Sequence, residues 1–244
     1  MEETPEKPVV HSRILWLDQL RGFAIALMLL FHFCYDLNYY RFLHIAITTD
    51  PFWVSFRELI VTLFLFAVGV ALVLVHRRGI RWSHVGRRAL ILGLAAAAVS
   101  LATWWIFPRY WVYFGILHLI WIASLLGLAF VGRPLLALSA ALGIFLGSTQ
   151  GWLGTEGFFR LLQPLLHLPE RTVDLAPLFP WFAVVLLGIA FASSGWMKRL
   201  EPGPALPGSG GRLLALAGRH ALAIYLLHQP ILFGSVAGVY ILTH

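Results

Sequence analysis

Seven apolar segments, near residues 14–38, 53–75, 85–106, 111–131, 134–149, 177–197 and 213–241, occupy most of this 244-residue chain. Each is of the order that a helix needs to cross a bilayer, about 20 residues. The fifth is the shortest and is rich in small residues, and the seventh contains Pro230, where a kink or an early exit is expected. Composition agrees with the segments: 59% of the residues are hydrophobic and 12% are charged, whereas a soluble domain has about a quarter charged. The expected fold is all-α, a polytopic transmembrane helix bundle of about seven spans that forms a single domain over residues 1–244.

The loops orient this bundle. HRRGIRWSHVGRR, with Arg77, Arg78, Arg81, Arg87 and Arg88, joins the second and third segments, and a Pro/Gly-rich linker over 198–212 carries Lys198, Arg199 and Arg212. Both are expected on the cytoplasmic side, together with the N-terminal tail 1–13, because basic residues concentrate in cytoplasmic loops. That tail reads as a cytoplasmic lead into a retained helix, not as a signal peptide. The outer side then receives 39–52, 107–110 and 150–176. Within 150–176 the apolar positions Phe158, Leu161, Leu162, Leu165 and Leu166 keep helical spacing, which predicts an amphipathic helix at the outer interface. The net charge of +7 is thus a loop property, so membrane lipids and not nucleic acid are the expected surroundings. The lone Cys34 excludes an intramolecular disulfide.

Within the first segment, LDQLRGFAIALMLLFHFCYDL, the polar residues Asp18, Arg21, His32 and Asp36 fall within about 60° of one another on a helix. Ionisable groups are costly at membrane depth, so an aligned set must face the protein interior or a watery cavity. Arg21 and His32 are about 16 Å apart along the axis, which places the first toward the cytoplasm and the second toward the outer face. Asp36, one turn beyond His32, is expected to hold the imidazole in one tautomer. His118 and His228 are two further intramembrane histidines, with Tyr225 a turn before His228. No HxxxH or HxxE pair lies on one helix, so no metal site is expected. The loop arginines, joined by Arg219 and His220, suit a phosphate clamp, although no Walker-type or GxGxxG loop accompanies them.

RILWLDQLRGFAIALMLLFHFCYDL resembles the first-helix signature of the heparan-alpha-glucosaminide N-acetyltransferase catalytic-domain family, in its small bacterial form. It is more distantly similar to the acyltransferase family 3 signature: an Arg, then LDxLRG, then a His. These are Arg13, Asp18, Arg21, Gly22 and His32 in this chain. VYFGILHLIW, PLFPWFAVVLLGIA and GRHALAIYLLHQPIL also resemble blocks of the bacterial family, so the likeness spans most of the chain. The resemblance implies an integral-membrane acyltransferase of the bacterial inner membrane. It would move an acyl group, acetyl by family analogy, from cytoplasmic acetyl-CoA to a hydroxyl or amine of a sugar or glycan acceptor on the far side. It also implies that His32 is catalytic. In the lysosomal relatives a histidine in the following outer loop is implicated instead, and the nearest here is His44.

Residues and resemblance together give these expectations. Arg13, Asp18, Arg21, Arg87 and Arg88 bind the acyl-CoA, and His32 with Asp36 forms the catalytic pair. His118, Tyr225 and His228 bind the acceptor substrate. Transfer is expected to be direct, with an acyl-imidazole on His32 as the other route. Two readings from other classes stand beside this one: a proton-coupled small-molecule exporter using the intramembrane His/Asp cluster, and a scaffold whose polar core fixes helix packing. The small-residue face LGLAAAAVS permits a homo-oligomer.

Overall fold

The computed structural model describes residues 14–194 and 205–243. Nine helices make up the described part, in the order α1 (Leu15–Tyr39), α2 (Pro51–His76), α3 (Trp82–Ile106), α4 (Ile116–Gly127), α5 (Pro134–Thr149), α6 (Glu156–Leu166), α7 (Leu178–Ser193), α8 (Gly208–Arg219) and α9 (Ala221–Thr243). A 3-10 turn, Leu128–Phe130, extends α4. Among the described residues the only β pairing is a parallel bridge between Phe114 and Leu175. The all-helical membrane bundle expected from the sequence is the observed fold. Four helices, α1, α2, α3 and α9, are long and apolar enough to cross a membrane. The helices α5 and α7 have 16 residues each, about 24 Å at 1.5 Å per residue, and with α4 form a shorter apolar set.

The most hydrophobic of the four long helices, α2, lies at the centre. Asp50 caps α2 by accepting from the backbone N–H groups of Phe52 (3.0 Å) and Trp53 (3.4 Å), with Pro51 in the first turn, where its missing N–H costs nothing. From Leu65 to Val73 this helix is buried almost without interruption, against Val185, Leu186 and Ile189 of α7. Gly69 and Gly188 let the two backbones touch: a Cβ on Gly69 would stand 3.0 Å from the Cα of Gly188. Small residues at such crossings are how membrane helices gain packing contact. The amphipathic outer helix predicted within 150–176 is α6; its Phe159 packs on Tyr113 and Phe114, with ring centroids 5.3 and 5.2 Å apart.

Three boundaries differ from the sequence reading. The expected segment 213–241 is two helices, and the break falls at His220 rather than at Pro230. His220 leaves helical geometry (φ −102°, ψ 19°), while α9 runs unbroken through Pro230. Proline is tolerated within membrane helices, where neighbouring groups satisfy the freed backbone carbonyl. The glycine-rich end of the expected 198–212 linker is helical from Gly208, so GSGGR belongs to α8. The fourth segment begins at Ile116 and not near 111. Trp111–Phe114 is held out of the helix by Thr103, whose hydroxyl accepts from Val112 N–H (2.9 Å), and by the backbone bond from Ala176 N–H to Phe114 C=O (3.1 Å).

Helix α1 packs along both α8 and α9. Gln19 ties it to the start of α8, donating to the carbonyls of Leu206 (2.9 Å) and Gly211 (3.1 Å) and accepting from Leu206 N–H (2.8 Å). Higher up, His32 faces His228, Asp36 meets Gln229, and Tyr39 and Tyr40 meet Phe233, so α1 and α9 run in the same direction.

Candidate functional site

The basic ends of α1, α3 and α8 surround a cavity of about 470 Å³. Arg21, Arg87, Arg88 and Arg219 line it together with His76 and His84, and its apolar depth is formed by Phe64, Ile116, Leu117 and Leu222. Tyr225 of α9 also lines it. Helical spacing explains this convergence. Arg87 and Arg88 fall in the second turn of α3, Arg21 in the second turn of α1, and Arg219 closes α8.

Asp18 manages the charge at this end. It is buried, and its carboxylate lies 3.7 Å from Arg21 and 3.4 Å from Arg219. It is not among the residues lining the cavity. The expectation that Asp18 binds the cofactor is therefore corrected: an acid facing phosphate would repel it, and this one positions two arginines instead. Arg88 carries a buried Nε with no hydrogen-bond partner. A neighbouring hollow of about 20 Å³ is lined by Arg88, Trp121 and Ser124, whose indole N–H and hydroxyl are likewise buried and unpartnered. Arg13 lies outside the described residues.

Beyond Tyr225 is a second polar cluster. The Tyr225 and His228 rings are 5.6 Å apart, and the His228 and His32 rings 4.7 Å apart. Gln229 Nε2 donates to Asp36 Oδ1 at 2.8 Å. The remaining atoms of this cluster, His32 Nδ1, Asp36 Oδ2, His228 Nε2 and Gln229 Oε1, are buried without partners. Buried polar atoms without partners are uncommon in a folded interior, and this cluster holds four. The expected pairing of Asp36 with His32 is corrected: Asp36 is fully buried, and its partner is Gln229 on α9. The sequence reading missed Gln229, although it directly follows His228, because the glutamine's target lies 193 positions away.

His118 does not join this cluster. Its Nδ1 accepts from Gly115 N–H (3.2 Å), which leaves the proton on Nε2 to meet Ser100 Oγ (3.2 Å). Ser100 in turn donates to Val112 C=O (2.6 Å). One ring nitrogen thus caps the start of α4 and the other meets Ser100 of α3, so both are engaged within the fold, whereas the sequence reading expected His118 to bind the acceptor. Asp174 is a further residue the sequence reading passed over as outer-loop charge. Its Oδ2 accepts from Ile116 N–H at 3.1 Å, pinning the outer loop to the α4 terminus, and burial raises its pKa above the ordinary 3.8. Among the described residues no group of three His, Cys, Asp or Glu is arranged to hold a metal ion.

The fold is thus a helical membrane bundle with a basic cavity at one end and a buried pair of imidazoles beyond Tyr225. The comparison of families makes the assignment specific. Residues 13–230 match the heparan-alpha-glucosaminide N-acetyltransferase catalytic family, and the chain belongs to that family of membrane acetyltransferases. No curated protein and no solved structure matches it.

Proposed function

We propose that the protein transfers an acetyl group from cytoplasmic acetyl-CoA to a hydroxyl or amine of a sugar acceptor on the far side of a bacterial inner membrane. The observation that carries this reading is the cavity of about 470 Å³, a size typical of small-molecule sites. One end gathers Arg21, Arg87, Arg88 and Arg219 with Asp18 as the nearest carboxylate, and Tyr225 joins the other end to His228. Guanidinium forks suit phosphate oxygens, and the apolar depth suits a pantetheine chain. The thioester would then lie near Tyr225, within one side chain of the imidazole pair.

In this mechanism the arginines bind and orient the phosphates, and the apolar walls exclude water from the thioester. The acceptor enters from the outer side. The pair His32 and His228 takes its proton as the oxygen or nitrogen attacks the carbonyl carbon. Gln229 and Asp36 hold α1 and α9 in the register that keeps the two rings together. Family membership supports acetyl as the group moved and a sugar as its acceptor.

A binding and transfer experiment tests the reading. Coenzyme A should raise the melting temperature of the detergent-purified protein saturably. Inverted membrane vesicles given radiolabelled acetyl-CoA outside should accumulate label on a luminal acceptor. Proton-driven solute flux with no stabilisation by coenzyme A would establish the exporter in its place.

A further inference from the structure

We infer that His228, rather than His32, is the general base of the transfer. The inference rests on the acetyltransferase reading above and assigns the proton-accepting atom within it.

Three observations carry it. The first is tautomeric. His228 Nδ1 lies 2.6 Å from the backbone carbonyl of Tyr225. A carbonyl only accepts, so Nδ1 holds the proton and Nε2 is left with the lone pair. Nε2 is also buried and without a partner. This is the arrangement a base requires: one nitrogen anchored as donor, the other free to accept. The second is contrast. His32 has a buried Nδ1 with no partner, and the carboxylate one turn beyond it is bonded to Gln229. No hydrogen bond at Nδ1 therefore selects the tautomer of His32, whose ring contacts are with Phe31 and His228. The third is position. His228 is one turn beyond Tyr225, which lines the basic cavity, and its ring is in contact range of Tyr225 (5.6 Å). Neither imidazole lines the cavity itself; His228 is the one in ring contact with its lining residue Tyr225, and His32 lies 4.7 Å from His228.

The acceptor O–H or N–H gives its proton to His228 Nε2 while the heteroatom bonds to the thioester carbon. The tetrahedral adduct collapses with cleavage of the C–S bond, and the departing thiolate takes the proton from Nε2. Acetyl-CoA and the acceptor become the acetylated acceptor and coenzyme A, with His228 returned to its neutral form. The rings facing His228 are His32 from α1 and Tyr225 from its own helix, while the Asp36 carboxylate is bonded to the adjacent Gln229. His32 is close enough to His228 that the two rings share one added charge rather than carry two.

The test compares His228→Asn with His32→Asn in membrane vesicles, using radiolabelled acetyl-CoA and the native acceptors supplemented with glucosamine. Asparagine keeps a donor for the Tyr225 carbonyl but has no basic nitrogen. His228→Asn should lower kcat by about 10²–10⁴-fold, with coenzyme A still raising the melting temperature as in the wild type. The variant's residual rate should also lose the limb of the pH profile set by histidine ionisation. His228→Gln, which lacks the anchor as well, should be no more active. Retention of transfer by His228→Asn within about threefold, a loss of transfer accompanied by loss of coenzyme A stabilisation, or a larger loss of kcat from His32→Asn than from His228→Asn overturns the inference and leaves the acetyltransferase reading intact. No incorporation of label by the wild type overturns both.

Discussion

Gly218 of α8 stands against Gly22 of α1 so closely that a Cβ on Gly218 would lie 3.0 Å from the Gly22 amide nitrogen and would collide with the backbone carbonyl of Asp18. A Cβ on Gly22 would in turn meet the Leu214 carbonyl. The contact holds the basic end of the cavity together, since Asp18 and Arg219 flank it and are paired. Because the obstacles are backbone atoms, no rotamer change relieves them. Gly218→Ala should cost about 3 kcal/mol, the upper end of ordinary overpacking, and lower the melting temperature in detergent by roughly 5–10 °C. Gly210→Ala, on the same helix with open space around it, should be neutral or stabilising by up to about 1 kcal/mol. Equal melting of the two variants would show that the helices do not meet in this way.

The arginines of the cavity are not equivalent in what they are expected to bind. Arg88 brings a buried, unpartnered Nε to the cavity wall, whereas Arg78 is exposed in the loop and does not line it. Arg88→Ala should raise the Kd for coenzyme A by about 10–100-fold, the range of a charge-assisted hydrogen bond worth about 1.5–3 kcal/mol. Arg88→Lys should recover part of this, because a point charge replaces a fork. Arg78→Ala should leave the Kd within twofold, about the size of an exposed charge effect. Isothermal titration at two salt concentrations measures all three.

The register between α1 and α9 depends on a charged group with a neutral partner. Gln229→Leu leaves Asp36 fully buried with neither oxygen bonded, and a buried acceptor stripped of its partner costs about 1–3 kcal/mol or more. Gln229→Leu alone should destabilise strongly. The double change Asp36→Leu with Gln229→Leu should recover most of that loss, since two apolar groups need no partner. Additive melting shifts in the double-mutant cycle would refute a direct pair.

Much of the fold was legible because hydropathy and helical period are local signals. The long helices, the amphipathic α6 and the basic loop all follow from residues read in order. The stripe of Asp18, Arg21, His32 and Asp36 correctly faces inward; three of the four meet groups on α8 and α9. Partners are what the pattern does not reveal. Asp36 lies one helical turn from His32, and sequence distance suggested that pair, yet the glutamine 193 residues away has the shorter path. The break at His220 was signalled only by Gly218, Arg219 and His220 themselves, a glycine and basic pair that also suits a phosphate clamp, while the apolar residues on either side read as one span. His118 misled for a related reason: a histidine inside an apolar run resembles a ligand until the extended backbone before it is known to need a cap.

That reassignment of His118 separates stability from catalysis. His118→Phe removes an acceptor from Gly115 N–H and a donor from Ser100 Oγ, a loss of about 1–3 kcal/mol. The melting temperature should fall while kcat at saturating acetyl-CoA stays within about threefold. A collapse of kcat, set beside the 10²-fold or larger losses of general acid–base variants, would return His118 to the substrate site.

Asp174 gives the fold a pH dependence of definite sign. It lies in the outer loop, outside the membrane helices, and accepts from Ile116 N–H. Burial raises its pKa above 3.8, although the Ile116 hydrogen bond and the charge of Arg57 pull the other way. The folded state thus binds this proton more tightly than the unfolded chain does. Its contribution to stability is fully present below the unfolded pKa and is lost as the pH rises through the higher folded value. At neutral pH the desolvated charge counts against the fold. Asp174→Asn retains an oxygen for Ile116 N–H and removes that charge, so the variant should melt above the wild type at pH 7. The difference should shrink as the pH falls through the carboxylate range, where the wild-type residue also becomes neutral. Melting curves at pH 7 and pH 4 in one detergent measure this, and a variant that melts lower at pH 7 would show that the Arg57 and Ile116 contacts outweigh the burial of the charge.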